Sequence, residues 1–246
     1  MRRFLLLLLV FSAVGCGPAF RFRPAETLPK GTVEVALGLG AAARAETGEF
    51  GGSELIGSVR GGVDPRVEIG GRFWTYSFAT FGGGFDVRVQ VIRGPIDLTI
   101  DAGLLAGGCC GAAGKWNVVG AALGIDGGFS IGKRLGGPKA PAIYLAPHVQ
   151  GSWTIPSDDN WPVQLYLPLG ADIPLPRTPL HLRPEFLVVG LFTGPEQHTW
   201  RVGGGLALAL QGPGPKQLVQ QQKRRREERE AAELAAYRKA MGLPPR

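Results

Sequence analysis

The chain has 246 residues, 39 of them glycine, and a formal net charge of +7. That charge sits entirely at the ends: Arg2 and Arg3 at the start, and nine Lys/Arg against four Glu from Lys216 onward. Residues 17 to 215 are formally neutral, so the basic balance does not mark the body as nucleic-acid binding, and no nucleic-acid partner is expected.

Met1-Arg2-Arg3 and the uncharged run Phe4 to Gly15 form the charged start and short apolar centre of an export signal. The run falls short of the roughly 20 apolar residues a spanning helix needs, so it reads as removed. Ala13-Val14-Gly15-Cys16 is similar to the bacterial lipobox, with Ala13 where that family usually has Leu. The resemblance implies a cut before Cys16 and acylation of its thiol. Two or three acyl chains would anchor the protein stably, each buried methylene contributing about 0.8 kcal/mol. Gly17, where an acidic residue would signal retention, implies by the same resemblance transfer to the outer membrane. Residues 1–15 are thus expected to be removed, and 16–30 to form a lipidated linker.

From 31 to 211 the sequence alternates with period 2, the mark of strands with two unlike faces. The clearest case is Phe85-Asp86-Val87-Arg88-Val89-Gln90-Val91; the pattern resumes after Gly94-Pro95 as Ile96-Asp97-Leu98-Thr99-Ile100. Ten strands are predicted, near 32–43, 53–62, 66–77, 83–93, 96–106, 117–133, 141–154, 162–174, 179–192 and 198–211. Their connections alternate between short turns rich in Gly and Pro and looser loops. The fold expected is all-β: an antiparallel up-and-down barrel of about ten strands, followed by a helical tail. An even count puts both ends of the barrel on the turn side. The stretch Gly61 to Gly70, with its Val-Asp-Pro turn and Val67-Glu68-Ile69-Gly70, resembles the strand-turn-strand of small outer-membrane barrels. The last strand departs from that family, ending Leu208-Ala209-Leu210-Gln211 without a terminal aromatic.

Strands of about 10 residues tilted near 40° span about 25 Å, the height of an outer-membrane apolar band. One face is apolar, as in Val35-Leu37-Leu39 and Leu206-Leu208-Leu210. The other carries Glu34, Glu68, Arg72, Asp86, Arg88, Gln90, Asp97, Asp101, Asp126, Asp172, Arg183 and Glu185. Alternation alone leaves open which face is inside. The tryptophans suggest an answer: Trp74, Trp116, Trp153, Trp161 and Trp200 all fall at the loop ends of strands, with Tyr76, Phe78, Phe81, Phe85 and Phe192. Such a belt is what a membrane interface favours, and it puts the apolar face outward. The alternative is an aromatic-lined mouth of a soluble, lipocalin-like periplasmic lipoprotein that binds an apolar ligand.

Candidate chemistry is sparse. Cys109 and Cys110 lie in a glycine-rich segment read as a loop, as a disulfide or as free thiols; they lack the spacing and histidines of a zinc site, and no metal is expected. His148 and Ser152 share a strand face, which raises a lipid-modifying barrel hydrolase as a second alternative, but no orienting acid can be named and no catalytic residue is assigned. His181 and His198 sit near strand ends. The glycine clusters lack the strand-loop-helix setting of a phosphate loop, and no cofactor is expected.

After Gly212-Pro213-Gly214-Pro215 come strong helix formers, predicting a solvated helix of about 25 residues whose KRRR run is answered by Glu227, Glu228 and Glu230. Residues 212–246 therefore read as a basic periplasmic tail, able to dock on peptidoglycan-associated material or a protein. The functional expectation is a lipid-anchored outer-membrane barrel with a structural, envelope-interaction or weak transport role, both termini periplasmic, and outer-membrane lipid as its partner.

Overall fold

The computed structural model describes residues 20–48, 50–76, 80–110, 118–137, 140–155, 163–194 and 197–241. Within them lie eleven strands and a helix: β1 (Thr32–Arg44), β2 (Phe50–Asp64), β3 (Val67–Tyr76), β4 (Thr80–Ile92), β5 (Asp97–Cys110), β6 (Val118–Arg134), β7 (Ala142–Leu145), β8 (His148–Ile155), β9 (Val163–Pro174), β10 (Leu180–Gly194), β11 (Gln197–Pro213) and α1 (Pro215–Ala240). Every pairing is antiparallel. The last strand, β11, pairs with β1 from Thr32↔Pro213 to Arg44↔Arg201, so the sheet closes on itself. Closure abolishes both free edges, whose unpaired backbone groups would otherwise need another partner.

Eleven strands make ten staves. Both β7 and β8 pair with β6 on one side and β9 on the other. They are two halves of the strand expected at 141–154, parted at Ala146-Pro147, where proline has no N–H to give to the ladder. Neighbouring staves stitch the gap: Ala146 N donates to the Pro168 carbonyl at 2.9 Å, and Phe129 N to that of Pro147 at 3.1 Å. The other nine strands lie within a few residues of the expected positions. The largest difference is at β5, which continues through Cys110 where a loop is expected from 107. Cys109 is in register with Thr80 and Gly120, so the backbone of the cysteine pair belongs to the wall.

All twelve residues expected on the charged face are buried inside the barrel. Their alternates face outward and stay exposed: Leu37 is 55% exposed, Ile125 58% and Leu208 50%. Burying apolar surface is favourable by about 25 cal/mol per Å² in water, so a soluble barrel puts these faces the other way round. Beyond β11, the described side chains of α1 are exposed, and ion pairs Lys223–Glu227 (3.8 Å) and Arg226–Glu230 (3.0 Å) run along it. Among the described residues no helix is long and apolar enough to cross a membrane.

Candidate functional site

The lumen is filled by the chain itself. The stretch expected as a linker, 16–30, is in its described part a plug: Phe20 to Leu28 run inside the barrel, all buried but Glu26, before Thr32 enters β1 at the turn end. The cause is local. Phe20-Arg21-Phe22-Arg23 alternates as a strand does, and an extended segment threaded down a barrel meets a different wall on each side.

The aromatic side meets β1 and β11. Phe20 and Phe22 stack with centroids 5.5 Å apart and planes within 7°. Their rings occupy a slot cut by glycines: a Cβ at Gly40 would stand 2.2 Å from the Phe20 ring, and one at Gly38 2.5 Å from that of Phe22. No side chain larger than hydrogen fits at either position with the plug in place. Ile56, Trp74, Leu105, Tyr166, Leu187 and Val189 continue the same buried apolar cluster.

The arginine side meets three carboxylates on adjacent staves β4, β5 and β6. Arg23 grips Asp86 with both terminal nitrogens, at 2.6 and 2.8 Å. Arg21 reaches Asp101 at 3.2 Å and Asp126 at 2.8 Å. From the wall, Arg72 also bonds Asp126. Forked guanidinium contacts of this kind are among the strongest hydrogen bonds a protein makes.

The plug backbone is held as firmly as its side chains. Phe22 has a left-handed backbone (φ 49°), which costs a residue with a side chain about 1–2 kcal/mol. The return is that two consecutive N–H groups converge on Glu185, Arg21 N at 2.8 Å and Phe22 N at 3.1 Å. Below them, Arg183 donates to the Phe22 carbonyl (3.1 Å), Arg88 to that of Pro24 (2.7 Å), Thr99 to that of Ala25, and Leu28 N to Glu68 (3.1 Å). A cavity of about 1460 Å³ opens beneath the plug at the turn end, where Arg134 pairs with Glu26 at 3.0 Å.

Six further wall charges pair with one another. An ionic belt runs Asp172–Arg183–Glu34–Arg60–Glu68–Arg88, crossing from β9 through β10, β1, β2 and β3 to β4. Gln211 on β11 joins it at Glu34, 2.8 Å away. Among the described residues the wall buries nine carboxylates and four arginines, so the plug's two arginines answer an excess of negative charge.

The sites expected from sequence fare unevenly. Trp74 does not join an outer belt: it is 2% exposed, inside the lumen, because it shares the inward parity of Glu68 and Arg72 on β3. Tyr76 packs inward too, its ring 2.4 Å from where a Cβ on Gly52 would stand. Trp200 is 39% exposed near the loop end of β11, and Phe50, Phe73 and Phe81 are exposed toward the same end. The backbone of Trp153 lies in β8, while Trp116, Trp161 and Cys16 lie outside the described residues. His148 and Ser152 are both buried on β8, but four residues along a strand span about 13 Å, too far for a nucleophile and its base. His148 instead stacks on Tyr166 at 4.6 Å and faces the Ala146 carbonyl at 3.2 Å. Among the described residues no cluster of side chains could hold a metal. The plug escaped the sequence reading, though an available signal was the surplus of acids over arginines on the inner face.

No protein-family model and no curated protein matches the chain. Solved structures similar to it include a bacterial polysaccharide outer membrane secretin, 13% identical over 65% of this chain with a TM-score of 0.43; the chain spans a little over half, 57%, of that protein's length. Others are the β-domain of the Bordetella autotransporter BrkA (9% identity, 72% of this chain and 98% of that one, TM-score 0.41) and the N-terminal β-barrel domain of Pseudomonas aeruginosa OprF (11%, 74% and 100%, TM-score 0.33).

Proposed function

We propose that this chain is an outer-membrane β-barrel lipoprotein, closed at rest by its own N-terminal segment, whose role is to hold the basic helix α1 at the periplasmic face of the envelope. The observation that carries the reading is the inverted polarity of the wall. Leucines, valines and isoleucines cover the outside, while nine carboxylates and four arginines are buried within. A hydrocarbon solvent favours this arrangement and water opposes it. The plug argues against free diffusion: ten staves enclose little more than side chains, and here a segment of main chain, Phe20 to Leu28, runs through the lumen above the turn-end cavity. A lipocalin-like binder would need an apolar cavity, whereas this lumen carries an ionic belt and a docked peptide. The lipid on Cys16 follows from the lipobox resemblance, and α1, solvated and basic, offers Lys223 to Arg226 to an anionic or protein partner in the periplasm.

The test is the behaviour of the Cys16→Ser chain in isolated membranes. With the lipid gone, an integral barrel still needs detergent for extraction, and migrates faster unheated than boiled. Release into buffer without detergent would overturn the membrane reading and restore the soluble one.

A further inference from the structure

The cavity beneath the plug differs in charge from the acidic lumen above it. Pro24 to Pro29, the lower end of the plug, close it from above, and the turns after β4, β6 and β9 contribute to its rim. The belt of three carboxylates and three arginines is neutral in itself, and so is the pair Glu26–Arg134. What remains around the cavity is Arg93, Lys133 and Arg177 against one carboxylate, Asp97. That carboxylate already accepts from Gln90 Nε2 at 2.8 Å and Gly94 N at 3.3 Å. His181, the other titratable group on the lining, is engaged with Asp172 at 3.1 Å. Among the described residues none of the three cations forms an ion pair.

Two of these cations are set in place by the chain. Arg93 Nη2 donates to the Pro65 carbonyl at 2.8 Å and to Gln90 Oε1 at 2.9 Å, which leaves Nη1 without a partner among the described residues. Arg177 stands in a turn stiffened by Pro174, Pro176 and Pro179, and its backbone is left-handed (φ 61°). Among the described residues only Phe22 in the plug shares that strain, which clusters where proteins bind ligands. A third guanidinium, Arg134, is held by Glu26. Among the described ion pairs of the plug this one alone reaches solvent, its side chains 15% and 34% exposed, so it is the easiest to exchange.

We propose that the turn-end cavity binds a multiply charged oxyanion, phosphate- or carboxylate-bearing, held by Arg93 and Arg177 at the rim and by Arg134, which it takes over from Glu26. Ligand and plug then compete for one guanidinium, and occupancy loosens the lower end of the plug. The three arginines are spread over half the rim and suit several charged oxygens better than one. At about 1460 Å³ the space exceeds the roughly 300–1,000 Å³ of small-molecule sites, so it takes the charged end of a larger molecule. Helix α1 leaves the barrel on the same face, where Gly214 N donates to the Gly31 carbonyl at 2.6 Å. Its exposed Lys223 to Arg226 add to the positive field that draws such a molecule in. That the ligand is periplasmic rests on the membrane reading above; the site itself does not.

The experiment titrates full-length chain, folded in a zwitterionic detergent, calorimetrically with pyrophosphate and separately with citrate. One saturable site is expected, and the tighter of the two probes tells phosphate from carboxylate. Arg93→Gln with Arg177→Gln should weaken binding about tenfold or more. Glu26→Gln, which frees Arg134, should tighten it about two- to fivefold, a gain lost when Arg134→Gln is added. A merely structural Glu26 gives no such tightening, and its absence overturns the exchange. No saturable heat with either probe, or affinity unchanged in the Arg93/Arg177 variant, overturns the site. Binding that survives this variant but is lost when Lys223 to Arg226 are all changed to Gln sits on α1 and overturns it too. Only chain with heat-modifiable mobility is scored, so these failures leave the membrane barrel standing. Extraction of the parent without detergent overturns the membrane reading and leaves the titration unaffected.

Discussion

Glu34 on β1 and Arg183 on β10 clasp each other across the strand between them, guanidinium nitrogens 2.6 and 2.7 Å from the two carboxylate oxygens. Both are fully buried, and β11, the strand that closes the barrel, runs beneath the bond. Removing one member of a buried pair leaves an uncompensated charge and costs about 3–5 kcal/mol. Arg183→Met is therefore expected to lower the temperature at which the fast-migrating folded band converts to the unfolded one. A conversion temperature equal to the parent's would mean that the belt does not stabilise the seam.

Gly40→Leu places a side chain where the Phe20 ring now lies, its Cβ starting 2.2 Å from that ring. The plug is expected to leave its slot. In planar bilayers the parent should be silent and the variant should conduct, favouring cations because wall carboxylates outnumber wall arginines. Adding Phe20→Gly, which frees the same space from the other side, should restore silence. A Gly40→Leu chain as silent as the parent would show that something other than the plug closes the lumen.

Leu37 and Leu208 sit side by side in register on the outer face of β1 and β11. Arginine on the lipid face of a barrel costs about 2–4 kcal/mol near the bilayer centre and little at its edges. Leu37→Arg should lower the denaturant concentration at which the barrel unfolds from lipid vesicles. In water the same change would be harmless, so no loss of stability argues for a soluble barrel.

Much of this was legible in the sequence, because period 2 is a strong physical signal when one face is charged. Glu34, Asp86, Arg88 and Asp126 fall inside simply because their neighbours are apolar. Trp74 shows the limit of reading by level alone: its height on β3 suggested an interface, but its parity with Arg72 points it inward, and parity wins because the pleat dictates it. The plug was hidden for another reason. Phe20 to Arg23 is too short a run to stand out beside the apolar stretch Phe4 to Gly15, and closure alone brings Glu185 on β10 to face Asp86, Asp101 and Asp126 across the lumen. The split at Pro147 was likewise masked, since β7 and β8 keep one alternation across the break.

Deleting residues 216–246 should leave the barrel's heat-modifiable mobility unchanged, since the described side chains of α1 are exposed and its ion pairs are internal. If the helix is the part that engages the envelope, the truncated barrel should lose co-purification with peptidoglycan-associated material. Co-purification that persists undiminished would remove that role from α1.

The docking of Arg21 onto Glu185 joins positions 164 residues apart. Synthesis delivers the plug first, yet the carboxylate and glycine slot that hold it are complete only when β10 and β11 exist. Contacts of such long separation pay their loop-closure entropy before they return anything, which makes them slow to form. The earliest described stretch of the chain is thus among the last to be fixed, and the wall must close around it, not before it.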